Sequence, residues 1–169
     1  KGKKFRVGIS WNGGGFKMGR VLKRSIPLSW WEPILGVPNV EFISLQYGQG
    51  KEEEVGEVKA MGHDVTIMDA TDAFDYYETA RLVKSCDLVI SICTSVVHLA
   101  GALGVPCWVM TPKYPAWRYQ NSGRMPWYRS VRLYRSPDVE QSGWIPVIAR
   151  ISVDLSDLVQ SQRRILRIA

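Results

Sequence analysis

The sequence has little of what metal centres and disulfide scaffolds are built from. It has two histidines and three cysteines in 169 residues. The cysteines, Cys86, Cys93 and Cys107, are odd in number, and none falls in a CxxC pair. Each sits in or beside an apolar run, which predicts buried free thiols rather than bridges or zinc ligands, and a reducing, cytoplasmic setting. No apolar run approaches the roughly 20 residues of a membrane span. The basic start, Lys1 to Lys4, leads straight into a strand-like run, which excludes a signal peptide from the reading. There is no internal repeat, low-complexity tract or interior linker, so residues 1–169 are read as a single domain. The chain does not open with Met, which is expected of a piece of a longer protein.

Two phosphate-binding signatures are also missing. The Gly-rich stretch Trp11-Asn-Gly-Gly-Gly15 has no Gly-Lys-Ser/Thr end, so it is not a Walker A loop. A G-x-G-x-x-G count from Gly13 reaches Met18 where the third glycine belongs. Position 46 is Gln, not the acid that holds a dinucleotide ribose. These departures exclude the usual nicotinamide dehydrogenase pattern.

What is present is ordinary globular composition, 46% hydrophobic and 22% charged, with a net charge of +6. A basic excess suits an anionic ligand, and on charge alone equally suits nucleic acid or an anionic surface. Apolar runs alternate with helical patterns, the mark of a parallel α/β sheet. Strands are predicted at 5–10, 40–45, 63–68, 87–92, 106–110 and 131–134. Helices are predicted at 28–35 (Ser29 as N-cap, Gly36 as stop), 50–61 (helix or irregular), 75–86, 94–103 and 144–169. In the third of these, Asp75 and Glu78 form a capping-box-like start, and Ala80, Val83, Tyr76 and Tyr77 are expected to face inward. The fold predicted is a Rossmann-like open parallel sheet with helices on both faces.

Three segments carry chemistry. The first, Cys93-Thr-Ser-Val-Val-His-Leu-Ala-Gly-Ala-Leu-Gly104, joins an apolar strand to a helix. Ligands of open α/β sheets bind at the carboxyl ends of strands, and a helix start offers free N–H groups to phosphate. Thr94 and Ser95 add hydroxyls, and His98 shares a helix face with Thr94. A plain Thr N-cap with His98 packed or solvated accounts for the same spacing. The second is the loop with Asn12, Gly13, Lys17, Arg20, Lys23 and Arg24, whose glycines admit a ligand and whose cations suit phosphate. The third is the aromatic, basic stretch 112–129, suited to stacking a base or sugar, or to folding back on its own aromatic cluster. Asp69, Asp72 and Asp75 span a strand-to-helix junction, where capping is commoner than metal binding, and no metal is predicted.

Taken in order, Gly8-Ile-Ser-Trp11, Arg24-Ser-Ile-Pro-Leu28, Phe42-Ile-Ser-Leu-Gln46, Asp75-Tyr-Tyr-Glu-Thr-Ala80, Asp87-Leu-Val-Ile-Ser91, the Thr94–Gly104 run, Trp108-Val-Met, Trp117-Arg and Pro126-Trp-Tyr128 form a pattern. It resembles the C-terminal domain of bacterial tetratricopeptide-repeat glycosyltransferases, relatives of the ADP-heptose:lipopolysaccharide heptosyltransferases. The resemblance implies one half of a GT-B enzyme, binding a nucleoside diphosphate sugar as donor substrate with no separate cofactor. It implies an N-terminal GT-B domain or repeat region outside this chain, which would supply acceptor contacts and the catalytic base. It places the diphosphate at Thr94, Ser95 and His98, a basic contact at Arg24 or Lys23, and ribose and base near Gln46 and Asp69. Cys93 departs from the Asp that usually precedes the Thr. That departure keeps a second reading open, a nucleotide- or sugar-binding module without catalysis. Nucleic acid is left with charge alone in its favour and is not the expected partner.

Overall fold

A computed structural model describes residues 4–13, 24–48, 50–68 and 76–168. Six strands form one sheet in the order β3-β2-β1-β4-β5-β6. They are β1 (Phe5–Ser10), β2 (Val40–Ser44), β3 (Val65–Ile67), β4 (Leu88–Ile92), β5 (Cys107–Thr111) and β6 (Val131–Arg135). Every neighbouring pair is parallel. The α/β Rossmann-like architecture read from the alternation of apolar runs is therefore the one observed, with strand ends shifted by a residue or two.

Side chains alternate across the pleat, so the sheet feeds two cores, one on each face. Val7, Ile9, Phe42, Leu88, Ile90, Met110 and Tyr134 enter one. Ile43, Val89, Cys107, Val109, Val131 and Leu133 enter the other. The first core is covered by α1 (Glu32–Leu35), α2 (Lys51–Ala60) and α5 (Trp144–Ile168). In α5 the buried residues Trp144, Val147, Ile148, Ile151, Leu155 and Val159 recur at helical spacing and form a single stripe. The second core is covered by α3 (Tyr76–Lys84) and α4 (Ser95–Ala102).

Two details differ from the sequence reading. Tyr76 and Tyr77 are 57% and 70% exposed, while Thr79, Leu82 and Val83 take the inward face of α3. A phenol keeps its hydroxyl wet at little cost, so the periodicity locates the helix but not these rings. Ser29 caps nothing, because the segment opens as a 3-10 turn over Leu28–Trp31 behind Pro27, and α1 follows only from Glu32. Asp75, the expected cap of α3, lies outside the described residues.

The strand order sets the site. After β1 the chain builds outward through β2 and β3, then returns across the sheet to β4 on the other side of β1. The carboxyl ends of β1 and β4 thus flank the point where the winding reverses, which opens a crevice there.

Candidate functional site at the β1–β4 crevice

The β4 wall of the crevice is Ile92-Cys-Thr-Ser95. Thr94 is the N-cap of α4, with extended backbone (φ −126°, ψ 176°), yet its side chain makes no capping hydrogen bond. Its hydroxyl instead lies 3.0 Å from that of Ser91, whose own proton goes to the Ile92 carbonyl at 2.7 Å. Thr94 is therefore the donor in the pair. The first-turn amides of α4 have no side-chain acceptor from the cap, and Ser95 is exposed beside them. The helix leaves through Gly104, whose φ of +70° suits only glycine without strain.

The β1 wall is Trp11-Asn-Gly13. Arg24 lies across Gly13, its Nε donating to the Gly13 carbonyl at 3.3 Å. A Cβ on Gly13 would come within 2.9 Å of that Nε and 3.2 Å of Ile92 Cδ1. One small residue therefore lets the Arg24 cation sit against the end of β4. Ser25 braces the turn, accepting from the Gly13 amide at 3.2 Å and donating to Asn12 Oδ1 at 2.8 Å.

Gln46, at the end of β2, turns inward. Its Oε1 accepts from the amides of Trp11 (3.1 Å) and Asn12 (2.8 Å) and from the Ser10 hydroxyl (3.3 Å). Its Nε2 donates to the carbonyls of Asn12 and Tyr47 at 3.0 and 3.1 Å. Both polar atoms are thus engaged within the chain, and Gln46 fastens the β1 loop to β2. Lys23 and Asp69, along with Lys17, Arg20 and Asp72, lie outside the described residues.

His98 packs with its ring against Tyr119 and Tyr128, at centroid distances of 6.2 and 5.9 Å. Burial, and then the nearby Arg118 charge, lower its pKa from the ordinary 6.5. It is neutral at pH 7. Because the folded pKa is the lower one, the unfolded chain binds the extra proton, so this histidine's contribution is intact above pH 6.5 and declines as pH falls through the folded value. A proton NMR titration of His98 is expected to show a midpoint below 6.5, with stability rising with pH across that window.

Cys93 is buried against the Met110 carbonyl (Sγ to O 3.8 Å) and hydrogen-bonded to Tyr119. Burial pushes its thiol up to about 11, outweighing the attraction of Arg24, Arg118 and Arg135. Cys86 is likewise raised by burial to about 11, and Cys107 is fully buried and raised further. All three thiols are free. A thiol reagent at neutral pH is expected to label none of them rapidly in the folded chain and all of them after denaturation. Prompt labelling of one site would show a thiolate that this environment disfavours.

The aromatic stretch is partly folded back on its own cluster and partly exposed. Tyr119 and Met125 are buried, whereas Tyr114, Trp117 and Trp127 are exposed. Trp117 and Trp127 meet edge to face at 6.1 Å, and Trp127 Nε1 donates to the Arg118 carbonyl. Residues that the sequence did not single out also reach this end of the sheet. Thr111 and Arg135 close β5 and β6 as register partners, and Thr111 Oγ1 and Arg135 Nη1 are buried without a hydrogen-bond partner. Only the pairing of the two strands brings them together. Among the described residues, no three His, Cys, Asp or Glu side chains gather as a metal site. No helix among them is long and apolar enough to cross a membrane.

The same fold occurs in a solved sugar-transfer enzyme. Two structures of E. coli heptosyltransferase WaaC align over nearly the whole chain. The one with ADP has a TM-score of 0.61 at 16% identity, covering 94% of this chain and 45% of WaaC. The one with ADP-2-deoxy-2-fluoro heptose has a TM-score of 0.57 at 16% identity, covering 92% and 44%. The fold is that of a GT-B half. In sequence, the chain is 32% identical over 158 residues to Protein FlbA of Caulobacter vibrioides, a match covering 92% of this chain. The chain spans 26% of that protein's length. No family model matches the sequence.

Proposed function

We propose that this chain is the donor-binding half of a glycosyltransferase, holding a nucleoside diphosphate sugar in the β1–β4 crevice. The observation that carries the reading is the Arg24 guanidinium held on Gly13 at the carboxyl ends of β1 and β4, where α4 begins at Thr94 with no side-chain capping bond. A cation opposite free helix amides is a site for a dianion. WaaC, which shares this fold over 45% and 44% of its length, has been solved with ADP and with ADP-2-deoxy-2-fluoro heptose, which supports a nucleoside diphosphate ligand for this chain.

The chemistry is displacement at the anomeric carbon. The acceptor oxygen forms the new bond as the bond to the diphosphate oxygen breaks. Charge grows on the departing diphosphate, and Arg24, the α4 amides and the Thr94 and Ser95 hydroxyls are positioned to hold it without a metal. Neutral His98 packs among tyrosines and serves the wall of the site. The general base and acceptor contacts belong to another part of the full protein, a second GT-B domain or a repeat region.

A binding module without catalysis is the second reading, favoured by a neutral, buried Cys93 at the position where an Asp was expected. A transferase assay on the full-length protein separates the two. For the donor site itself, ADP at 100 times its dissociation constant should stabilise the chain by about 2.7 kcal/mol in a thermal-shift panel with UDP, GDP and CMP. Arg24→Ala is expected to weaken nucleotide binding by about tenfold to a hundredfold, the scale of one charge-assisted hydrogen bond, with the melting temperature of the free chain unchanged. Equal calorimetric affinity in wild type and variant would remove Arg24 from the site.

A further inference from the structure

The outer edge of β6 does not end in open backbone. Residues 123–125 fold back along it antiparallel, with the Leu133 amide donating to the Gly123 carbonyl at 2.9 Å and the Met125 amide to the Val131 carbonyl at 3.5 Å. Between these bonds Arg124 sits directly opposite Arg132. That is the non-hydrogen-bonded position of an antiparallel pair, where side chains stand closest. Like charges placed there repel.

The two arginines, with Arg129 and Ser130, line a cleft of about 410 Å³ floored by Gly123 and Val131. Arg132 is held in place, its Nη2 3.0 Å from Asp154 and its guanidinium 4.6 Å from the Tyr134 ring centre. Asp154 does little for the rest of the cleft. It also binds Arg150 at 3.0 Å and accepts from the Tyr134 hydroxyl at 2.8 Å. Among the described residues no carboxylate is ion-paired with Arg124 or Arg129, both exposed. A paired edge segment thus sets Arg124 directly opposite Arg132, with Arg129 and Ser130 lining the same cleft.

We propose that this cleft binds a phosphomonoester, its phosphate bridging Arg124 and Arg132 with Arg129 closing over it. The forked guanidinium donors match phosphate oxygens, and a dianion turns the facing repulsion into attraction. The volume falls within the range of small-molecule sites, roughly 300–1,000 Å³, leaving room for an organic group beyond the phosphate. The cleft lies at the amino end of β6, away from the carboxyl-end crevice, and does not depend on the donor reading.

The test is a backbone amide NMR titration of the full chain with glucose 6-phosphate and, separately, inorganic phosphate, against sodium chloride at matched ionic strength. Saturating shifts at Gly123–Met125 and Ser130–Leu133 are expected with both phosphates and not with chloride. Tighter binding of the ester assigns the organic group to the cleft, and equal binding assigns free phosphate to the same arginines. Arg124→Gln/Arg129→Gln should weaken these shifts by roughly tenfold or more, as loss of charge-assisted hydrogen bonds requires, while Arg24→Ala leaves them in place. Arg129→Gln alone, at an exposed position, serves if the double variant does not fold. Absence of saturation at these amides, equal shifts with chloride, or unchanged binding in the folded arginine variants would overturn the proposal. Shifts confined to Thr94–Val97 would do the same while leaving the donor site standing.

Discussion

Gln46→Leu is expected to destabilise the chain by about 4 kcal/mol, since it strands at least two buried donors at about 1–3 kcal/mol each. The donors are the Trp11 and Asn12 amides, which give their hydrogens to Gln46 Oε1, together with the Ser10 hydroxyl. Leucine is no smaller than glutamine, so no cavity is left and the lost hydrogen bonds are the main cost. The Asn12 and Tyr47 carbonyls lose their Nε2 partner as well. Gln46→Glu gives the contrast. It keeps an acceptor for the amides and, while protonated, one O–H donor toward the carbonyls, so its cost should be smaller and should grow with pH as ionisation removes that donor. Urea denaturation of the three proteins measures both effects. If Leu and Glu are equally mild, the β1 loop is held by something other than Gln46. The same network positions Asn12 and Gly13, so Gln46→Leu should also weaken nucleotide binding at temperatures where the chain remains folded.

This arrangement shows how far local sequence patterns reach. The strands are legible because apolar runs such as Leu-Val-Ile-Ser-Ile, residues 88–92, are what a sheet covered on both faces demands. The Thr94–Gly104 junction is legible because the strand, the cap and the exit glycine are contiguous in sequence. Gln46 is legible as a residue at a strand end, and its ligand role is what the family resemblance implies. Apart from the Tyr47 carbonyl, the partners of its side chain lie 34–36 residues away, a distance no local pattern spans. His98 is similar: Tyr119 and Tyr128 reach its ring only after a further strand and turn. The Arg124–Arg132 bridge depends on a single antiparallel contact that leaves no periodic trace. Local chemistry thus finds the crevice, while the contacts that brace its walls emerge only from the fold.

Gly101→Val is expected to destabilise the chain by about 3 kcal/mol, the upper range for overpacking a core. In most exposed helices glycine is the weaker choice, and replacing it gains up to about 1 kcal/mol of helix propensity for alanine. Here Tyr128 packs directly against that position of α4. A Cβ on Gly101 would press into Tyr128 Cγ, and would lie 2.5 Å from its Cδ2 and 2.9 Å from its Cβ. These are atoms at the root of the side chain, so a rotamer change does not clear them. The ring also meets His98 edge-on, and the Tyr128 carbonyl accepts from the Val131 amide at 3.2 Å. Relief therefore requires residues 125–130 to move away from α4, with His98 losing its edge contact. Gly101→Ala should already show a net loss of about 1 kcal/mol, overpacking outweighing propensity. The diagnostic measurement is a double-mutant cycle with Tyr128→Ala. Without the ring, Gly101→Ala should become neutral or stabilising, because only the helix propensity is left. A cost that persists in the Tyr128→Ala background would assign the glycine to another neighbour and show that Tyr128 does not set the packing of α4.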